Sequence, residues 1–511
     1  MDSKKMAEKL AVALLVILMA TMFMPVCGEA AFSRNLVIGY EGDPDTLDMC
    51  STRHAPTAIP IAANVMERLF QITTDGETVP GLASWTIAPD KMSIDFKLRK
   101  GVKFHSGDSL TTKDVIFSYK RILEKTTATG FRWVKDIEII DDMNFRVLFK
   151  QPDVLFLKDR SFFIGSKSYF DRVGEAEFNK KVVGTGPYRV INWRAAEFVE
   201  LERFDDYWGE KPEIKNVRLH FIKEGTTRIS MLKAGEADMI TSVPYAMVKD
   251  LERSGFKTIK LAAHPTTQVQ FQFMNPNVPW HDKRVRLAIA HAIDGDAIVK
   301  SLLHGIPARV WLSPWELGYD PSLKLWEYDP KKAKQLLAEA GYAKGFEMPL
   351  YYWAGRTTGQ KETAEAVALY LKAIGIKCTM IGWEPVKMIE SIRIKWHNNP
   401  EAVHVGVATP PIAHQTDPVY GFRTSYYSES TISLYNNPEF DKIYLKASQE
   451  FDDAKRAELI KQGMRIIADD VATIPIWANV SVYALKKDID FTPTLRAMDA
   501  LVLVKDIKIR P

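Results

Sequence analysis

TTRISMLKAGEADMI, residues 226–240, places a helix, a stop and a strand in one short run. Thr226 or Thr227 supplies the cap of a helix reaching Lys233, Gly235 ends it, and Ala237 to Ile240 resumes as a strand. A helix closed by glycine and followed at once by a strand is the grammar of a crossover in an α/β sheet.

The residues on either side keep that grammar. Upstream, VVGTGPYRVINW (182–193), FVELERF (198–204) and NVRLHFI (216–222) read as strands, as does Leu36–Tyr40. A helix fits Ile61 to Phe70, where Ile61, Val65 and Leu69 share a face. Residues 91–124 read as strand, strand, helix: Ile94, Phe96 and Leu98 alternate, Val102 and Phe104 repeat the alternation, and Thr111 with Asp114 forms a capping box. His105, in the HSGD turn between them, reads as a scaffold residue.

Downstream the pattern is stronger. Asp282 caps a helix whose Val285, Ala288, Ile289, Ala292 and Ile293 form one stripe. In YDPKKAKQLLAEAGY (328–342), Asp329 is the cap, Pro330 the first helical residue and Gly341 the stop. AEAVALYLKAIGIKCTMIGW (364–383) is a helix closed by Gly375 and then a strand. The C-terminal stretch from Phe491 has strand character and is placed to return to the first lobe. A chain that leaves one lobe, builds another and returns leaves crossing segments between the two, which is the arrangement of a hinge.

Bulk properties narrow the function. At 511 residues the chain exceeds one ordinary core, so two or three domains are expected. Lys and Arg total 68 against 64 Asp and Glu, with no block of like charge, so nothing marks a nucleic-acid surface. Lys4, Lys5 and Lys9 precede an apolar run from Leu10 to Met24, and Gly28-Glu29-Ala30 supplies small residues for cleavage after Ala30. This is the pattern of a secretory signal peptide and predicts an exported protein. Cys27 follows Pro25-Val26 rather than a small residue, so lipid anchoring there is not expected. The mature chain keeps Cys50 and Cys378, with no CxxC spacing, and both are expected as free thiols.

No GxSxG elbow, GxxxxGK[ST] loop, GxGxxG or HExxH occurs, and no pair of histidines falls on a convincing helix face at metal-ligand spacing. The expectation is a protein that is not an enzyme and needs no cofactor or bound metal.

The same segments carry a family resemblance. ERLF (67–70) with DGETVPGLASW (75–85), FKLRKGVKFHSGDSLTTKDVIFSYKRI (96–122), GTGPY (184–188), LERFDDYWGEKPEIKNVRLHFI (201–222), LKAGEADM (232–239), DKRVRLAIAHAID (282–294), YDPKKAKQLLAEAGY and YNNPEFDKI (435–443) resemble, in order, the family 5 extracellular solute-binding proteins. These are the periplasmic receptors of peptide and nickel ATP-binding-cassette importers. The resemblance implies an α/β, two-lobed periplasmic binding protein with a hinge and a satellite domain added to the first lobe. The implied partition is signal peptide 1–30, lobe I in three pieces (31–80, 176–265 and 481–511), satellite 81–175 and lobe II 266–480. It also implies a monomer that captures a peptide or related small organic solute and delivers it to the permease subunits of the inner membrane. An opine, a sugar or a nickel or other metal chelate is the alternative cargo, and an exported hydrolase the remote one.

The resemblance also points to site residues. Peptide-binding members hold the ligand's amino terminus with an aspartate shortly before an Asp-Pro pair. In VATPPIAHQTDPVYGF (407–422) the pair is Asp417-Pro418, and three residues earlier stands His414 where the acid is expected. A neutral imidazole provides no charge for an ammonium. Either Asp417 takes that role with the loop shifted, or the ligand lacks an amine and His414 donates to a carboxylate, phosphate or hydroxyl. In LYYWAGRTTG (350–359), Tyr352 and Trp353 beside Tyr351 are flat faces for stacking, or simply the core face of a strand, and Arg356 is an anion clamp or a solvated cation. Trp383 ends another strand, and Tyr40 and Glu41 end the first one, facing the cleft from lobe I.

Overall fold

The computed structural model describes residues 35–49, 55–72, 78–125, 133–158, 163–307, 309–314, 316–354, 359–384, 387, 391, 399–401, 403–408, 417–493 and 502–510. The expected signal peptide, Cys27 and Cys50 lie outside these residues.

A ten-stranded mixed sheet organises the protein. Its order is Tyr188–Arg194, Phe198–Arg203, Asn216–Phe221, Asn35–Tyr40, Met239–Ile240, Thr473–Leu485, Lys257–Phe271, Val405–Ala408, Phe346–Trp353 and Ile376–Trp383. The first half-sheet buries Leu36, Ile38, Val199, Leu201, Val217 and Leu219, the inward residues of its alternating strands. In the second half, Met348, Leu350 and Ile376 pack beneath the stripes of helices Lys283–Ala292 and Gln360–Ala373, namely Val285, Ala288, Ile289, Ala364, Val367 and Leu371. The two halves are joined by the antiparallel pair Lys257–Phe271 and Thr473–Leu485, which runs from one to the other. The boundaries expected at 265/266 and 480/481 fall inside these two strands.

A separate four-stranded antiparallel sheet, in the order Ala83–Ile87, Ser93–Leu98, Asn144–Phe149 and Val134–Ile139, is packed by the helix Thr112–Lys125. Ile94, Phe96, Phe145, Val147, Val115 and Ile122 form its core. Half of the expected capping box is present: Asp114 Oδ2 accepts from the backbone N–H of Thr111 at 2.9 Å, while the Thr111 hydroxyl donates to the same oxygen at 3.0 Å instead of accepting from the Asp114 N–H, which bonds Thr111 O.

Several local expectations are corrected. The helix expected at 61–70 lies at Ala55–Val65, and the chain then becomes extended, with Glu67–Arg68 paired to Phe163–Ile164. Its end is set by tertiary contact, because the carbonyl of Val65 accepts from Gly186 N at 3.0 Å. Val102 and Phe104 are buried beside a single bridge from Lys103 to Ser109 rather than in a second strand. The helix Gly225–Lys233 has Glu224, not Thr226 or Thr227, at its cap, and Glu224 makes no side-chain cap hydrogen bond. The C-terminal stretch is strand only in part: after the short helical turn Val504–Asp506, Lys508–Ile509 pairs with Ile489–Asp490, while Val502 and Val504 pack in one core with Leu36 and Ile38, and Asn64 bonds the backbone of both at 2.8 Å.

The quoted signature segments meet in space. Buried Glu67 accepts from Thr185 Oγ1 (2.9 Å), Tyr207 Oη (2.9 Å) and Trp208 Nε1 (2.7 Å), which joins ERLF, GTGPY and FDDYWG at one carboxylate. His105 clamps the same GTGPY loop, with Nε2–H donating to Gly186 O at 2.9 Å and its backbone N–H to Gly184 O at 2.9 Å. Burial pushes its imidazole down to about 4, so it stays neutral, as a scaffold residue should.

Candidate functional site

Strand direction locates the site. Asn35–Tyr40 runs parallel to Asn216–Phe221 and Met239–Ile240. Ile240 pairs antiparallel with Ala484, and Thr258 with that same Ala484, so the first-lobe strands point along the crossing strand Lys257–Phe271. Val405–Ala408 runs the opposite way, with Val405 opposite Phe271 and Ala408 opposite Gln268, and Phe346–Trp353 and Ile376–Trp383 are parallel to it. The carboxyl ends of the parallel strands of both halves therefore face each other across the middle of the crossing pair. There the register jumps from Ala262–Val480 to Thr266–Ala478, a bulge that breaks the ladder between the halves. Carboxyl ends of α/β strands are where such folds bind ligands.

On the first-lobe side, Tyr40 is buried in the core and its carbonyl accepts from Ile222 N at 2.8 Å. Glu41 follows, half-buried, and accepts from Thr241 Oγ1. Behind it sits Arg228, which sequence reasoning missed. Its buried guanidinium donates to the carbonyls of Ile222 (2.5 Å), Lys223 (2.8 Å), Thr241 (3.0 Å) and Ser242 (2.7 Å). It stitches together the residues that follow two parallel strands. Ser242 is held at φ 48, a strained conformation for a residue with a Cβ. Burial lowers the pKa of Arg228, opposed by the charges of Glu41 and Glu224. A legible signal existed: Arg228 lies beside Ile229 and Leu232 on the buried side of a nine-residue helix.

On the second-lobe side, Trp353 and Trp383 are register partners at the ends of their strands. The pleat puts Tyr351 on their face: its ring meets Trp383 edge-on at 5.3 Å and stacks on His404 at 5.1 Å. Tyr352 points the other way and covers Gly382, where a Cβ would lie 2.6 Å from Tyr352 Oη. Trp353 is buried and Trp383 half-buried, with Lys387 Nζ 5.4 Å above the Trp383 ring. Full burial pushes His404 down to about 3. Arg356 and His414 lie outside the described residues.

Asp417 is engaged by the scaffold. It is buried, its Oδ1 caps the turn Pro418–Gly421 through Val419 N at 3.0 Å, and its Oδ2 accepts from Arg456 Nε at 2.7 Å. Arg456 is equally buried and also donates to Glu450 O at 2.9 Å and to Asp453. Both carboxylate oxygens thus serve the scaffold. Arg456 was also missed, since its partner is 39 residues away.

The comparisons with known proteins agree with this geometry. The family described as bacterial extracellular solute-binding proteins, family 5, middle region, matches residues 77–397. The glutathione-binding protein GsiB of Escherichia coli O6:K15:H31 is 27% identical over 494 residues, covering 92% of this chain and 93% of that one. The dipeptide-binding protein of Escherichia coli K12 is 26% identical over 502 residues, covering 89% and 91%. Among solved structures, the periplasmic binding protein DppA of Helicobacter pylori, in complex with the peptide STSA, superimposes with a TM-score of 0.80 at 25% identity, covering 94% of this chain and 98% of that one. By its fold, by the order of its signature segments and by the match over more than half its length, this chain belongs to the family 5 bacterial extracellular solute-binding proteins, which serve ABC importers.

Proposed function

We propose that this protein is exported to the periplasm and, as a monomer, captures a peptide or related small organic solute between its lobes for an inner-membrane permease, without chemically changing it. The observation that carries the reading is the convergence of strand carboxyl ends from both halves on the bulged middle of the crossing pair. Glu41 with Thr241 on one side, and the half-buried rings of Tyr351 and Trp383 on the other, with Trp353 buried beside them, supply a carboxylate and flat faces. That mixture suits a solute with both polar and apolar parts. Tyr40 and Tyr352 support these groups from behind. Arg356 and His414, which come soon after the strands ending at Trp353 and Ala408 in the sequence, are on this reading further ligand-binding residues. The peptide-binding relatives support the peptide class.

One observation favours a second cargo, a solute without a free amine: the Asp417 carboxylate is already engaged with Arg456. Native mass spectrometry of the freshly purified protein, followed by thermal unfolding with a panel of dipeptides, an N-acetylated dipeptide, an opine, a sugar and a nickel–histidine chelate, tests both. One class is expected to raise the unfolding midpoint, since ligand at 100 times its Kd stabilises by about 2.7 kcal/mol. Loss of binding on acetylation identifies an amine-bearing cargo, and retention identifies the second class. A protein that carries no trapped solute and responds to none of the panel refutes the reading.

A further inference from the structure

The segment Val154–Lys158 leaves the four-stranded satellite sheet and divides its side chains between two cores. Phe156 and Leu157 enter the satellite core with Phe96 and Phe145. Val154 and Leu155, 4% and 1% exposed, enter a different one, with Trp311, Leu312, Val419, Tyr420, Tyr444 and Ala447 of the second lobe. The backbone that presents them is held by Asp153, wholly buried, whose Oδ1 accepts from Leu155 N at 3.1 Å. A second touch follows Tyr444 and Ala447 closely in the sequence: Lys91, at a satellite turn, reaches Glu450 at 4.0 Å and lies over the Phe451 ring at 5.3 Å.

Val419 and Tyr420 follow Asp417 directly, in the turn Pro418–Gly421 that Asp417 caps. The satellite therefore grips that turn. An apolar pair buried between two bodies that are otherwise connected through the crossing strands is where opening would expose hydrophobic surface to water.

We propose that Val154 and Leu155 are positioning residues, a clasp through which the satellite holds the second lobe closed and fixes the turn Pro418–Gly421, so that solute leaves only when the clasp releases. The proposal rests on the cleft reading above, but the contact can be read without knowing the cargo. Lys91 and Glu450 are close enough for a zero-length carbodiimide cross-link, identified by mass spectrometry of the linked peptides in the full-length protein as purified. Leu155→Ala is expected to lower that yield at least fivefold and to increase the radius of gyration in small-angle scattering, with Leu155→Met restoring both. The fraction of protein carrying trapped solute in native mass spectrometry is expected to fall in parallel. Unchanged cross-linking in Leu155→Ala overturns the clasp, as does a loss that appears only with a collapsed unfolding midpoint and is not restored by Leu155→Met. If the panel binds nothing while cross-linking still depends on Leu155, the cargo reading fails and the clasp stands as a device holding the lobes.

Discussion

At Asp417, local sequence and tertiary neighbourhood lead to different assignments of one carboxylate. The Asp-Pro pair offers it as a partner for a ligand's ammonium, whereas in the structure it caps the turn Pro418–Gly421 through the Val419 N–H. What the sequence does not disclose is Arg456, whose side chain is as fully buried as that of Asp417. Breaking a buried ion pair leaves an uncompensated charge in a poorly solvating interior, at a cost of about 3–5 kcal/mol. Asp417→Asn is therefore expected to lower the stability of the second lobe by about 3 kcal/mol in urea unfolding, with much of the loss recovered on adding Arg456→Met. A variant as stable as the wild type would contradict this assignment and return Asp417 to the cleft. Arg228 teaches the same lesson on the other side, since a cation on an apolar helix face was visible but its four carbonyl acceptors were not.

At the scale of elements, capped and glycine-stopped helices were the most legible. Asp282 and Asp329 cap the helices they were expected to cap, and Gly235, Gly341 and Gly375 sit at positive φ past helix ends. These are short-range effects, set by residues within one turn. The helix Ala55–Val65 was misplaced because its end is imposed from 121 residues away, by Gly186 of the GTGPY loop. A Cβ on Gly184 would lie 2.3 Å from Val65 O and 2.7 Å from Met66 Cα, and backbone atoms cannot swing aside. Gly184→Ala is expected to cost about 2 kcal/mol, by the overpacking it forces, and to loosen the His105 clamp. Equal urea midpoints for variant and wild type would show that the loop has room the geometry denies.

Across the whole molecule, burial of two neutral imidazoles contributes to the acid response. An unfolded histidine titrates near 6.5, whereas His105 is held down to about 4 and His404 to about 3, each chiefly by burial. Their contribution is complete above pH 6.5 and is lost as pH falls toward the folded values, at about 1.4 kcal/mol per pH unit for each. Glu67 and Asp114, raised by burial, have the opposite sign and add stability as pH falls through the same region. The comparison that isolates His105 is His105→Gln against wild type. Its stability is expected to decline less steeply, by about 1.4 kcal/mol per pH unit, between pH 6.5 and about 4, and parallel profiles would contradict this. The sequence by itself determined the α/β class, the caps and stops of the principal helices, and the family, because those depend on residues close together in the chain. Only the tertiary structure decided that the strand ends of both halves meet at a bulge, that Asp417 belongs to Arg456, and that the satellite grips the second lobe. Each of these is a contact between residues tens to hundreds of positions apart, brought together by burial of apolar surface and by the pairing of charges that burial would otherwise forbid.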